Sequence, residues 1–305
     1  MNILVNHRLN YHNGKAVETY SRSYIYYLKK AGHDVTEVGE GTGIPDLSGI
    51  RQRNYDLFLD IDSGRNSKGE LCFVGDQINK IKKAAIFTDS HGHPSMHKRL
   101  APSYEHVFYA VWSQRDLFVK HPSAHFLPNA TDLRWFPRYD VDNVDLEHTR
   151  VLSDFGFFGS KGGLDRANPL KEICEQKGWS HDIRQLNNAY KQKWPYTAMA
   201  MANCKFLFNH GQKHDINLRW FESMAVGRPL ISDLDSISGV TQLFVPGKHF
   251  IAYESYTYKG LEEAMEWCMA HKQSANGIAK AAYDLVAAKH TVENRVQSVM
   301  EIIGG

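Results

Sequence analysis

The sequence predicts an α/β protein made of two halves, each a mostly parallel sheet covered by helices. Three observations predict it. Short β-prone apolar runs alternate with helical stretches from the first residues onward. The alternation starts afresh after a polar, acidic stretch near the middle, "RYDVDNVDLEHTR". The chain has 305 residues, more than one hydrophobic core usually serves, so two domains of similar size are expected.

The elements follow in order. Residues 3–5 form an apolar run, and the polar loop "NHRLNYHNGKA" comes after it. Val17, Tyr20, Tyr24, Tyr27, Leu28 and Ala31 then share one helical face, and Gly32 ends that helix. "DVTEV", "YDLFLDI", "KKAAIFT" and "HVFYAVW" are compact β-prone runs separated by turn-rich or helical sequence, which is the order of a parallel sheet. In the second cycle "SDFGFFGS" reads as a first strand, "KGGLDRANPLKEICEQKG" as loop plus helix, and "CKFLFNHG" as a later buried strand. "FESMAVG" reads as a helix and "RPLISD" as the strand after it. Val292, Val296, Val299, Met300 and Ile303 mark one face of a last helix, with Thr291 as its N-cap. The expected division is 1–150, 151–288 and a final helical segment 289–305. No internal repeat of fixed period and no low-complexity tract interrupts this plan.

Composition narrows the function classes. Hydrophobic residues at 42% and charged residues at 23% are ordinary for a folded chain. With 36 Lys plus Arg against 34 Asp plus Glu, the formal charge of +2 gives no general pull toward nucleic acid or an anionic membrane, and leaves a local basic patch open. Cys72, Cys174, Cys204 and Cys268 form no CxxC pair, which argues against a structural zinc site or a disulfide framework and for a reducing cytoplasm. "MNILVNHRLN" reads as a first strand and not as a signal peptide, and no stretch approaches the roughly 18 apolar residues of a membrane span. The six tryptophans and fifteen tyrosines include many at helical or strand spacing, where such residues are more often core than ligand platform.

Several segments resemble one family. "NGKAVETYSRSYIYYLKKAGHDV" is similar to the first loop and helix of GT-B glycosyltransferases of the group 1, or family 4, type, and "LPNATDLRWFPR" to the segment closing their N-terminal domain. "INLRWFESMAVGRPLISD" resembles their nucleotide-sugar signature, and "HTVENRV" the tail of a small, spore-maturation-like branch with bacterial and phage members. The resemblance implies two Rossmann-like domains facing across a cleft, the acceptor on the N-terminal one, a nucleotide-sugar donor on the C-terminal one, and a last helix crossing back to the N-terminal domain. It also implies retention of anomeric configuration without a bound catalytic metal. The family signature is a glutamate near the transferred sugar, seven residues, then a second glutamate; here Glu222 matches the second, and His214 stands at the first, where the resemblance implies a donor-binding place.

The resemblance assigns Glu222 to the ribose hydroxyls of the donor, since a carboxylate accepts from two adjacent hydroxyls at once. A helix-start acid complementing the dipole is the competing reading. Asn217, Leu218 and Arg219 sit where the backbone turns into a helix, so their N–H groups are candidates to face a diphosphate. Arg219 adds charge there or simply points outward. In "GSKGGLDR" the glycines allow close backbone approach, and Lys161 and Arg166 are candidates to neutralise phosphate charge.

"NHRLNYHNGK" lacks GxxxxGK[ST] spacing and is no Walker loop; Gly14 instead lets the loop reach toward the donor, or the loop is an ordinary connection. His91, at the end of the fourth strand of the first half, is a candidate hydrogen-bond donor to the transferred sugar or a plain loop histidine. Asp62 and Asp89, also at strand ends, are candidates to contact an acceptor hydroxyl. Asp89, His91, His93 and His97 in "TDSHGHPSMH" suggest metal ligands, but no second ligand group has convincing spacing, so no metal and no cofactor are expected.

The expected activity is sugar transfer from a nucleoside-diphosphate sugar to a hydroxyl of a glycan, a small molecule or a hydroxylated base in DNA. Competing classes are a nucleotide-sugar epimerase and a non-catalytic nucleotide-sugar binding protein.

Overall fold

Each half of the chain builds its own parallel sheet. The computed structural model describes residues 1–7, 11–12, 15–16, 20–38, 54–61, 81–88, 90, 92–138, 151–159, 164–186 and 194–305. The chain divides into two compact units, Met1–Pro128 with Val292–Gly305, and Asn129–Thr291. The division falls at Pro128 and not at 150. Residues 129–138 belong with the second half because Phe136 is 1% exposed in its core, Asn129 Nδ2 donates to the Ile216 carbonyl at 3.2 Å, and Arg138 lies over the Tyr283 ring.

The first unit contains β1 (Asn2–Asn6), a small antiparallel hairpin of β2 (Tyr11–His12) and β3 (Lys15–Ala16), and α1 (Tyr20–Lys30). Then come β4 (Asp34–Val38), β5 (Leu57–Ile61), β6 (Lys82–Phe87), α2 (Pro94–Leu100), β7 (His106–Tyr109) and β8 (Ala124–Phe126). The main sheet runs β4-β1-β5-β6-β7-β8 with every pair parallel. β5 is buried at all five positions, the continuous apolar run of a strand covered on both faces. Its one charge, Asp60, accepts from the Tyr104 hydroxyl and from Asn6 Nδ2. α1 buries Tyr24, Ile25, Tyr27 and Leu28, and Gly32 ends it at φ +87°, a conformation a side chain disfavours.

At the β7–β8 edge Ser123 Oγ lies between His106 Nδ1 (2.8 Å) and His125 Nε2 (2.9 Å), while the Ser123 N–H donates to His121 Nδ1 (3.1 Å). Burial first, and then neighbouring positive charge, lowers the affinity of His106 and His125 for a proton below the ordinary 6.5. Above that value folded and unfolded chains are both neutral at these rings. As pH falls through 6.5 the unfolded chain takes up protons that the fold resists, so stability drops. The urea midpoint is therefore expected to be lower at about pH 5.5 than at about pH 7.5, with His106→Gln/His125→Gln flattening the difference; equal midpoints in the parent protein would contradict this.

The second unit contains β9 (Ser153–Gly159), α3 (Asn168–Lys177), β10 (His181–Gln185), α4 (Trp194–Ala202), β11 (Cys204–Asn209) and α5 (Leu218–Ala225). β12 (Leu230–Leu234), β13 (Ile251–Glu254), α6 (Leu261–Ala270) and α7 (Lys272–Lys289) complete it. Its sheet runs β10-β9-β11-β12-β13, again all parallel. Strand alternation splits the apolar side chains between two faces: Phe158 and Leu207 join Trp220, Phe221 and Val286 on one, and Phe155, Phe157, Phe206 and Phe208 join Leu170, Met265 and Cys268 on the other. Gly156 interrupts the phenylalanines because a Cβ there would sit 2.5 Å from Cys204 Sγ.

α8 (Val292–Gly304) belongs to the first unit. It packs on α1, pairs Glu293 with Lys30 at 2.8 Å, and sends the buried Arg295 Nε to the Pro128 carbonyl at 2.7 Å. Among the described residues no helix is long and apolar enough to cross a membrane.

Candidate functional site

Open parallel sheets bind ligands outside the carboxyl ends of their strands, where the strand order reverses. In the second unit β9 is followed by β10 on one side and then by β11 on the other, so the reversal lies between β9 and β11. Arg166, on a 3₁₀ turn at Leu164–Ala167, reaches this end. Its Nη1 donates to the His210 carbonyl at 2.5 Å and its guanidinium lies 5.9 Å from the Phe157 ring centre. Arg166 Nε is buried with no hydrogen-bond partner among the described residues. Burial pulls the guanidinium below its ordinary range, against the acids and phenols around it.

His210 is stacked on Tyr258 at 4.7 Å, and its Nδ1 lies 2.7 Å from the Tyr253 hydroxyl, which donates to the Asn209 carbonyl at 3.3 Å. Burial lowers the proton affinity of His210 and pushes the Tyr253 phenol up. Asp233, 2% exposed, accepts from the Gly211 N–H (2.8 Å), Ser232 Oγ (3.1 Å) and Ser255 Oγ (3.2 Å). A Cβ on Gly211 would crowd Asp233 Oδ2 at 3.1 Å, so a glycine at this strand end lets the amide reach the carboxylate. This clasp ties the ends of β11, β12 and β13 together.

A second clasp lies beside it. His214 Nδ1 is 2.8 Å from Asp235 Oδ2, the His214 N–H donates to the Tyr256 hydroxyl at 3.2 Å, and that hydroxyl donates to Asp235 Oδ2 at 3.3 Å. Asp235 also accepts from the Ile237 N–H at 3.0 Å. The backbone here is strained. Among the described residues the non-glycine positions with left-handed φ are Lys213 (52°), His214 (59°), Tyr256 (65°) and Tyr258 (54°), all in the loops after β11 and β13. Each such residue costs on the order of 1–3 kcal/mol, and strain of this kind collects at functional sites.

α5 begins at Asn217, whose side chain accepts the Arg219 N–H at 3.0 Å as an N-cap. The Trp220 N–H turns back to the Asn217 carbonyl at 3.2 Å. The amide of Arg219 is thus committed to the cap, which corrects the expectation that the N–H groups of Asn217, Leu218 and Arg219 all face a diphosphate; any such role rests on Asn217 and Leu218. Glu222 is no exposed helix-start acid: it is 5% exposed, and its Oε2 pairs with Arg219 Nη1 at 2.5 Å.

The structure thus brings Arg166, His214, Asn217, Leu218, Arg219 and Glu222 into one unit, with Arg166, His214, Asn217 and Arg219 bound into the clasps and cap just described. Gly14, Asp62, Asp89, His91 and Lys161 lie outside the described residues. The imagined metal set does not extend to His97, which is 2% exposed, stacked on Phe87 at 4.2 Å and hydrogen-bonded to Ser90, a core histidine. Sequence reading missed His210, Asp233, Asp235, Tyr253, Tyr256 and Tyr258. The signal was present: in "LISDLDS" and "CKFLFNHG" the polar residues follow directly on buried runs, where a parallel strand meets its ligand end.

Residues 146–301, just over half the chain, match the model of the family described as "Glycosyl transferase-like", and the chain belongs to that family. It is a glycosyltransferase of GT-B fold. Its fold is similar to that of HepE from Anabaena, solved in complex with UDP and glucose, with TM-score 0.64 and 12% identity over 100% of this chain and 99% of the other. An alpha-glucosyltransferase in complex with UDP-glucose and DNA containing an abasic site gives TM-score 0.66 and 10% identity over 100% and 99% of the two chains. Sucrose-phosphate synthase from Thermosynechococcus elongatus gives 0.65 and 11% over 99% and 98%. No curated protein sequence matches the chain.

Proposed function

We propose that the protein transfers a sugar from a nucleoside-diphosphate sugar, held in the second unit, to an acceptor hydroxyl. The observation that carries this reading is the buried Arg219–Glu222 pair on α5. A buried ion pair generally stabilises a fold less than apolar side chains of the same volume, and its neighbours Trp220, Phe221, Met224 and Ala225 show that apolar residues fit this helix. A carboxylate retained there suits the vicinal hydroxyls of a ribose.

The chemistry is leaving-group stabilisation. As the anomeric carbon–oxygen bond breaks, its electron pair stays on the diphosphate, and Arg166, Arg219, Lys161 and the start of α5 stabilise that charge with no bound metal. The sugar becomes oxocarbenium-like, His91 donates to it, and the acceptor oxygen bonds the anomeric carbon on the face the diphosphate leaves, with retention, its hydroxyl proton passing to a departing diphosphate oxygen. Gly14 reaches the donor, and Asp62 and Asp89 hold the acceptor hydroxyl. UDP is the first donor nucleotide to try, because two of the structural neighbours above, HepE and the alpha-glucosyltransferase, were solved with UDP or UDP-glucose. An alpha-glucosyltransferase neighbour solved with UDP and a 13-mer DNA containing a HMU base supports a base in DNA as one acceptor class beside glycans and small molecules. Its phosphate contacts would make duplex binding fall steeply with salt. A cytoplasmic setting and a place in the small spore-maturation-like branch complete the reading; the free, buried Cys174, Cys204 and Cys268 suit the first.

A thermal-shift screen with UDP, GDP and ADP is expected to single out one nucleotide, with stabilisation of about 2.7 kcal/mol at a hundred times its Kd. Mass analysis after incubation with the matching nucleotide sugars then separates the classes. Diphosphate released only with acceptor supports transfer, an altered sugar without acceptor means epimerisation, and no nucleotide shifting the melting point overturns the reading.

A further inference from the structure

We propose that a cavity in the first unit, between α2 and the chain leading from β7 into β8, binds a small amphipathic anion: an alkyl or aryl body that carries a phosphate or carboxylate. The cavity measures about 470 Å³, within the roughly 300–1,000 Å³ of small-molecule sites. Ala101, Pro102, Leu117, Val119 and Pro122 give it an apolar lining, and Lys98 and Lys120 bring two positive charges to it from different elements. Tyr104, His121 and Pro122, which also line it, come just before β7 and β8. That is the end of the sheet opposite the one where parallel sheets take their ligands, so the donor and acceptor readings above leave the cavity unassigned.

Charge and exposure set it apart from an ordinary surface groove. Lys29, Lys30, Lys177, Lys205, Lys259 and Lys280 each pair with a carboxylate, whereas Lys98 and Lys120 have no carboxylate partner among the described residues. The acid lining the cavity, Asp116, faces Arg115 at 4.0 Å. Val119, next to Lys120, is 76% exposed, the highest value of any large apolar side chain among the described residues. Uncovered apolar surface and unpaired positive charge therefore adjoin. Internal hydrogen bonds fix the wall: His121 Nε2 donates to the Tyr104 carbonyl at 2.9 Å, Nδ1 accepts the Ser123 N–H at 3.1 Å, and the His121 N–H donates to the Phe118 carbonyl at 2.9 Å. A preformed apolar lining with two ammonium groups at its rim holds the tail of such a molecule by burial and its head by charge.

Calorimetric titration of the full chain with octyl phosphate, below its micelle concentration, tests this, with inorganic phosphate and 1-octanol as probes that carry only the head or only the tail. Octyl phosphate is expected to bind about tenfold or more tightly than either. Lys98→Ala/Lys120→Ala should weaken it by about tenfold and Val119→Ser by about threefold. All three side chains are exposed, so the variants are expected to keep the parent's melting point. Lys259→Ala/Lys280→Ala removes the same charge from the second unit and should bind like the parent. Equal weakening in the two double variants would reduce the effect to net charge and overturn the proposal. So would parent-like affinity in Lys98→Ala/Lys120→Ala, inorganic phosphate or 1-octanol matching octyl phosphate, or no binding of octyl phosphate at all. Sedimentation with phosphatidylglycerol vesicles separates a free anion from a lipid surface: vesicle binding that octyl phosphate does not displace would make the patch a membrane contact and overturn the site as well.

Discussion

Glu222→Ala is expected to lower UDP affinity by about ten- to a hundredfold, the ~1.5–3 kcal/mol of hydrogen bonds made to a charged group. The same change strands the guanidinium of Arg219, whose side chain is only 18% exposed, so the melting point should fall too. Two effects therefore have to be separated. In Glu222→Gln the shape of the site is kept and the charge lost, and UDP binding should sit between parent and alanine. In the double variant Arg219→Met/Glu222→Leu the buried pair is replaced by apolar side chains, and stability should return while UDP affinity stays low. Calorimetric titration with UDP checks all three. Parent-like UDP affinity in Glu222→Ala would leave the pair a structural feature of α5 and remove the ribose role.

Trp220→Ala should be the most destabilising single change in the second unit, at about 3–5 kcal/mol. Trp220 is 2% exposed, lies parallel to Phe244 at 5.5 Å with 7° between the rings, and meets Phe250 edge-on at 4.8 Å. It is flanked by Arg219 and Phe221 on α5, so the helix that carries Glu222 loses its main anchor against the loop holding Phe244. Urea unfolding should show an earlier transition, Trp220→Phe should recover part of it, and saturating UDP should shift the variant back toward the parent. An unchanged unfolding curve would mean that α5 is held in another way.

How far the sequence reaches depends on whether a signal is local. α5 was legible because its cap and its apolar face lie within a few residues. β5 was legible because a strand buried on both faces is apolar at every position but one, Asp60. β10 was not: "HDIRQ" is an edge strand with no fully buried position, and only its pairing with β9 makes it a strand. The unit boundary failed for the same reason. Residues 129–138 read as the close of the first half through the family resemblance of "LPNATDLRWFPR", and their place in the second follows from Phe136 and Asn129 meeting partners far along the chain.

The sequence by itself determined the alternation of strands and helices, the start of α5 and the resemblance that pointed to sugar transfer, since each is written in neighbouring residues. Only the tertiary structure decided which polar side chains meet at the ligand end of the second sheet. His214 lies 21 residues from Asp235 and 42 from Tyr256, and no spacing rule links them. The order β9-β11-β12-β13 sets the ends of those strands side by side, and the strained loops then turn the three side chains toward one another.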